Sequence, residues 1–160
     1  MQKITPFLWF DKNPEEAVNF YTSVFKDSKI VSVKRYPDQA LDEHMKGMEG
    51  KVLTAVFELQ GQQFMALDGG PIFKFNESVS FLVECKDQKE IDYYWSKLSA
   101  VPASEQYGWC KDKFGLSWQI VPDMSRFFNE TDPVKAGRAM RAMLAMKKII
   151  IADLEKAYGG

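Results

Sequence analysis

The feature that most constrains the fold of this chain is an internal repeat. Sliding Phe7–Val24 onto Phe81–Leu98, an offset of 74 residues, needs no gap. Phe7-Leu8 then meets Phe81-Leu82, Lys12 meets Lys86, Asn13 meets Asp87, Glu16 meets Glu90, and Phe20-Tyr21 meets Tyr94-Trp95. In each copy an apolar run precedes a polar cap, and apolar residues then recur at spacings of three and four, which reads as a strand feeding an amphipathic helix. The first helix is expected from Asn13-Pro14 to about Phe25, with Ala17, Phe20, Tyr21 and Val24 on its apolar face. Asn13 suits the N-cap, Pro14 the first turn, and Glu15 and Glu16 the positive end of the helix dipole. The second helix is expected to open at Asp87 and to turn Ile91, Tyr94, Trp95 and Leu98 inward.

Each copy is followed by further strands. Ile4–Phe10 and Val79–Glu84 read as the leading strands, and Lys29–Tyr36 alternates as a half-buried strand does. Lys51–Leu59 and Gln62–Asp68 make a hairpin at Gln60-Gly61, where glycine supplies the positive φ that a tight turn needs. Tyr107–Lys111 and Ser117–Val121 make another, turning at Asp112–Gly115. Pro37–Gly50, polar and bracketed by breakers, is expected to be a long mobile loop. Beyond Pro122 the chain changes character: Asp132-Pro133 opens an Ala- and Met-rich helix, and Ile151–Tyr158 reads as a short last one. Ala139, Met140, Met143, Leu144 and Met146 form an apolar face, suited either to packing on this chain or to an adaptable contact surface. The expected organisation is one α+β domain over residues 1–160, with strand-helix-strands modules at about 4–70 and 78–122 and a helical tail at about 123–160.

Charge and composition exclude several functions. Twenty-one Lys and Arg against 22 Asp and Glu leave a net charge of −1, which gives no footprint for nucleic acid. The first residues hold no apolar signal region and no run approaches the roughly 18 apolar residues of a membrane span, so a soluble, cytoplasmic protein is expected. Cys85 and Cys110 are too few and too far apart in sequence for a disulfide framework or a CxxC motif, and read as buried thiols. His44 is the sole imidazole, and so the one conventional general base near neutral pH. With one His and two separated Cys, a subunit cannot assemble a multi-imidazole or thiolate metal site.

Four runs carry a family resemblance: Ile4-Thr5-Pro6-Phe7-Leu8-Trp9-Phe10, Phe20-Tyr21, Phe64-Met65-Ala66-Leu67-Asp68-Gly69-Gly70-Pro71, and Phe114-Gly115-Leu116-Ser117-Trp118-Gln119-Ile120-Val121-Pro122. Through them residues 4–122 resemble the PhnB-like branch of the glyoxalase, bleomycin resistance and extradiol dioxygenase superfamily, the vicinal oxygen chelate fold. Residues 143–158 also resemble the end of that branch. The resemblance implies two βαβββ modules forming a curved mixed sheet around a cavity, with C-terminal helices, commonly in a homodimer. In metal-dependent members the first and last strands of each module supply His and Glu ligands. Here those positions fall at Ile4, Thr5 or Pro6, at Ser78, Val79 or Ser80, and near Ala66 and Gln119, which are poor ligands for a transition metal.

The branch also carries a demethylubiquinone methyltransferase label. No GxGxxG-like turn of the kind that cradles a nucleotide cofactor occurs in this chain. The resemblance instead makes Trp9, Phe64, Asp68, Phe73, Phe75, Asn76, Ser80, Trp109 and Gln119 candidates for the lining or rim of a small-molecule cavity. Ser80 and Gln119 are the sharpest of these, because an inward polar side chain on a strand is costly without a partner. For Phe64 and Trp118 a place in the core is the expectation. The expected function is binding of a small apolar or aromatic molecule without metal or cofactor. The alternatives are a metal-dependent lyase, isomerase or dioxygenase, a methyltransferase, and a non-catalytic dimeric assembly module.

Overall fold

The computed structural model describes residues 2–129 and 131–160. The chain forms two compact units, 1–74 and 75–160.

The first unit runs β1 (Phe7–Phe10), α1 (Pro14–Val24), β2 (Ser28–Arg35), β3 (Val52–Leu59) and β4 (Gln62–Asp68). Its sheet order is β1-β4-β3-β2, with β1 parallel to β4 and the other neighbours antiparallel. Ala17, Val18, Tyr21 and Val24 of α1 are buried, as are Leu8, Phe10, Ala55, Phe57, Phe64 and Ala66 of the strands. Tyr21 stacks on Phe57 and Phe57 on Phe64, so these rings are core, each worth about 1.5–3 kcal/mol of burial. Asn13 stands at the N-cap but its side chain makes no capping bond; the helix start rests on Pro14 and the two acids. At the β3–β4 turn Gln60 and Gly61 both take positive φ, as a two-residue hairpin turn of this hand requires.

Two expectations for this unit are corrected. β2 is not half-buried: it lies at one edge of the sheet, its residues from Lys29 onward are exposed, and its register against β3 slips at two points. Nor is residues 37–50 a free loop. Tyr36 and Met48 are buried, Tyr36 N–H donates to Lys51 O, Gly50 N–H donates to Tyr36 O, and Asp42 caps a 3-10 turn at Glu43–Met45.

The second unit runs β5 (Ser80–Cys85), α2 (Gln88–Leu98), β6 (Trp109–Lys111), β7 (Ser117–Pro122), α3 (Pro133–Leu144) and α4 (Ile151–Gly159). Its order β5-β7-β6 repeats the parallel pairing of a first with a last strand. The predicted second βαβββ module is thus βαββ among the described residues. Where another strand would lie, Val101-Pro102 turns the chain into a 3-10 segment at Pro102–Ser104, and proline has no N–H to give a ladder. The tail belongs to this unit: Tyr107 and Gly108 N–H donate to Met146 and Lys147 carbonyls, Gln88 bonds to Ile149 O and Ile151 N–H, and Arg138 ties α3 to the Ala157 and Tyr158 carbonyls. No helix among the described residues is long and apolar enough to cross a membrane.

The structure also refines the repeat. The offset of 74 carries α1 onto α2 end to end, but the strands that precede them end at Phe10 and Cys85, an offset of 75. Both of those residues are buried, whereas Leu8 is 6% exposed and Leu82, its partner at offset 74, is 57% exposed. The second copy therefore has one residue fewer between strand and helix than the first, and every strand position changes face, as a period of two demands. Through the β1–β4 and β5–β7 ladders, the counterpart of Gln119 is Met65 rather than Ala66, and that of Ser80 is Thr5.

Candidate small-molecule site

On β5–β7–β6, alternation places Ser80 and Leu82 of β5, Ser117 and Gln119 of β7, and Trp109 and Lys111 of β6 on one face. Beside this face lies a cleft of about 370 Å3, lined by Glu77, Ser104, Gln106, Tyr107, Trp109, Lys111 and Ser117 among others. Tyr107 and Trp109 supply rings, and Lys111 and Glu77 form an ion pair that holds the Glu77 carboxyl below its usual range. Ser117 is 1% exposed, and its Oγ has no hydrogen-bond partner. A buried hydroxyl in that state costs about 1–3 kcal/mol, so the cleft is built with one polar valence open.

Three of the predicted residues meet here. Gln119 Nε2 donates to Ser80 Oγ at 2.9 Å, and Trp109 sits opposite Gln119 in the ladder. Ser80 and Gln119 thus answer each other's polarity, while the Ser80 hydroxyl proton and the Gln119 carbonyl can still meet a third group. Ser117 was not singled out by sequence, although its spacing of two from Gln119 puts it on the same face.

The remaining candidates lie elsewhere. Trp9 packs against Phe73 edge to face at 4.9 Å and donates Nε1–H to Gly70 O at 2.9 Å. Gly69 is needed beneath it, since a Cβ there would fall 2.1 Å from the indole. Asp68 is 2% exposed and on the buried side of β4; its Oδ1 accepts the Lys12 N–H at 3.0 Å and its Oδ2 the Tyr36 hydroxyl at 2.9 Å. Burial, then Asp68, pushes the Tyr36 phenol up to about 12. His44 Nε2 lies 3.4 Å from the Tyr36 hydroxyl, at the wall of a separate cleft. Asn76 closes a local turn by accepting from Ser78 N–H and Oγ–H, Phe75 is partly buried near Gly115, and Phe73 is 62% exposed. Trp118, as expected, is core: its Nε1–H donates to buried Asp112, which also accepts from Phe114 and Leu116 N–H.

The groups that the fold and label imply fit poorly. Placed by these ladders, the positions that the resemblance marks for metal ligands hold Thr5, Met65, Ser80 and Gln119, a set with no imidazole and no carboxylate. Burial pushes the Cys85 and Cys110 thiols up to about 12, away from the thiolate a metal would need. The strand-to-helix turns, Asp11-Lys12-Asn13 and Lys86-Asp87, carry no glycine for a backbone cradle around a nucleotide-like cofactor.

Residues 2–121 match the family model described as 3-demethylubiquinone-9 3-methyltransferase. A Bacillus cereus PhnB protein, provisionally described as a 3-demethylubiquinone-9 3-methyltransferase, is 42% identical, with 76% of this chain and 98% of that one covered at a TM-score of 0.61. Protein PA1353 from Pseudomonas aeruginosa shares the fold at 18% identity and a TM-score of 0.58, covering 76% of this chain and 97% of its own. No curated protein matches the chain. The repeated strand-helix unit, the family match over 2–121 and the 42% identical structure agree: the chain belongs to the PhnB-like, 3-demethylubiquinone-9 3-methyltransferase family.

Proposed function

We propose that this PhnB-like chain, read as a glyoxalase and bleomycin-resistance superfamily member, binds a small organic molecule in the cleft of its second unit. It does so through side chains alone. The observation that carries the reading is the Ser117 hydroxyl, buried and unpartnered at the wall of a cleft that also presents two rings. Such a site suits a compact aromatic or apolar body that bears one hydrogen-bonding group for Ser117 Oγ. Tyr107 and Trp109 offer faces for the body, and the Ser80–Gln119 pair lies on the same sheet face to orient a second polar atom. The reading is one of binding: the neutral donors at the ligand positions and the glycine-free turns support neither metal-assisted chemistry nor methyl transfer from a nucleotide-like donor.

The test is thermal shift against a library of small aromatic compounds. A ligand at 100 times its Kd stabilises the native state by about 2.7 kcal/mol, enough to raise Tm by several degrees. Ser117→Ala and Gln119→Leu are expected to remove the shift while each unliganded protein melts cooperatively. The reading is overturned if no compound raises Tm, or if both variants respond as the parent does. The same protein in light scattering reads its assembly; a homodimer is expected, since Met140 and Leu144 of α3 remain 40% and 57% exposed in the single chain.

A further inference from the structure

The first unit holds a second cleft, of about 460 Å3, whose walls include Lys12, Lys46, Lys51, His44, Gly47 and Glu43. Its charge is one-sided. Glu43 is engaged by Lys46 in an ion pair, and among the described residues no ion pair involves Lys12 or Lys51. Lys12 is presented by a left-handed turn residue, φ 65°, held by its own N–H on Asp68, so its ammonium stem leaves a fixed point of the backbone. Gly47, at φ 75°, has open space where a Cβ would stand, which lets a ligand approach the main chain.

His44 completes the wall. The single Tyr36 hydroxyl proton goes to Asp68 Oδ2, so the hydroxyl oxygen faces His44 Nε2 as an acceptor, 3.4 Å away. The ring also lies close to Gly70, where a Cβ would fall 3.0 Å from Cε1. Of the acidic groups nearby, Asp68 is engaged by Tyr36 and Lys12, Asp42 by the Met45 N–H and Glu43 by Lys46, while Glu15, paired with Arg35, and Glu16 share a neighbouring cleft with Lys12 and Lys51. Two ammonium groups that no ion pair engages match the charge of a dianion better than that of a carboxylate, and His44 stands beside them at the wall.

We infer that the cleft between Lys12, Lys51 and His44 is a binding site for a phosphate dianion, carried either by inorganic phosphate or by a small phosphate monoester. Because His44 is the chain's only histidine, its ring C–H signals in an NMR spectrum report the site without assignment. The experiment titrates inorganic phosphate into the full chain at constant ionic strength and pH. The expected result is a saturable shift of the His44 signals, weakened about tenfold by Lys12→Gln and by Lys51→Gln, each removing one charge-assisted partner. Lys147→Gln, in the other unit, is expected to leave the titration unchanged, and circular dichroism checks that each variant folds. A monoester that saturates at lower concentration than phosphate identifies an organic ligand; equal affinities identify the free ion. The inference is overturned if the signals move without saturating, if acetate moves them as strongly, or if both lysine variants titrate like the parent.

Discussion

The two units start from one pattern and place their polar residues differently. Each has a helix of matching length after its first strand, a first strand parallel to the last, and one buried aspartate that accepts from both backbone and side-chain donors. In the first unit that aspartate, Asp68, lies on the buried side of the last strand, while the other face at the ligand-equivalent positions carries Thr5 and Met65. In the second, Asp112 closes the β6–β7 turn, and the corresponding face carries Ser80, Gln119 and the orphaned Ser117. The difference teaches that duplicated scaffolding does not imply duplicated sites. The second unit concentrates unspent hydrogen-bonding capacity at a cleft beside rings, and the first concentrates charge at a loop.

The largest expected effect separates the two aspartates by the number of donors each satisfies. Asp112→Ala strands three: Phe114 N–H, Leu116 N–H and Trp118 Nε1–H, at 2.8, 3.1 and 2.9 Å. A loss of about 3–5 kcal/mol in urea unfolding is expected. Asp68→Ala strands the Lys12 N–H and leaves the Tyr36 hydroxyl only the longer, 3.4 Å contact to the Asp68 main-chain carbonyl, and should cost about 2–4 kcal/mol. If Asp68→Ala proves the costlier by a clear margin, donor count is not what distinguishes the anchors.

Next in size is Gly69→Ala in the first unit. Its Cβ would lie 2.1 Å from the Trp9 ring, so the indole must move and give up its bond to Gly70 O. A destabilisation of about 2–3 kcal/mol is expected, with a changed tryptophan emission. Gly159→Ala in the second unit, where a Cβ meets nothing within 4 Å, serves as the contrast and should be near neutral. Comparable losses at both would show that the space around Trp9 is not the cause.

Much of this architecture was legible in the chain, and what was not has a physical reason. Helical periodicity with Pro14 and Asp87 at the starts located α1 and α2, because caps and spacing are local signals. The one-residue difference between strand and helix was invisible, since Leu8 and Leu82 are the same residue type and only burial reveals their opposite faces. Residues 37–50 read as a loop because their polarity is local, whereas the bonds that order them run from Tyr36 to Lys51 and Asp68. Of the sequence's candidates, Ser80, Trp109 and Gln119 share one sheet face, as their strand positions imply. The turn of Asp68 toward Tyr36 and the Lys12 N–H was not legible, because a carboxylate at a strand end looks the same facing a cleft or facing a tyrosine. Ser117 was passed over because a serine's missing partner is not a property of sequence.

Alkaline titration offers a subtler comparison. Burial raises Cys85 and Cys110 from 9.0 to about 12 in the second unit, and burial with Asp68 raises Tyr36 from 10.0 to about 12 in the first. Between these values the native state holds protons that the unfolded chain gives up, so stability is full below pH 9 and falls as the pH rises toward 12. The Cys85→Ala/Cys110→Ala protein should lose less stability between pH 8.5 and 10.5 than the parent does. An unchanged slope would place the alkaline sensitivity outside the second unit's thiols.

The smallest expected effect on stability is the most discriminating one. Ser117→Ala removes a hydroxyl that has no partner, so in the absence of ligand it should leave the protein unchanged or stabilise it by up to about 1 kcal/mol. Thr54→Ala on the first unit's sheet provides a reference for removing a hydroxyl at a partly buried strand position. If Ser117→Ala instead destabilises by about 2 kcal/mol or more, the hydroxyl is doing structural service in the folded chain, and the contrast between a saturated first unit and an unsaturated second one collapses. If it is neutral while the thermal shift by ligand disappears, the open hydrogen-bonding valence belongs to the ligand, because only a partner absent from the unliganded protein can make a residue dispensable for folding and required for binding.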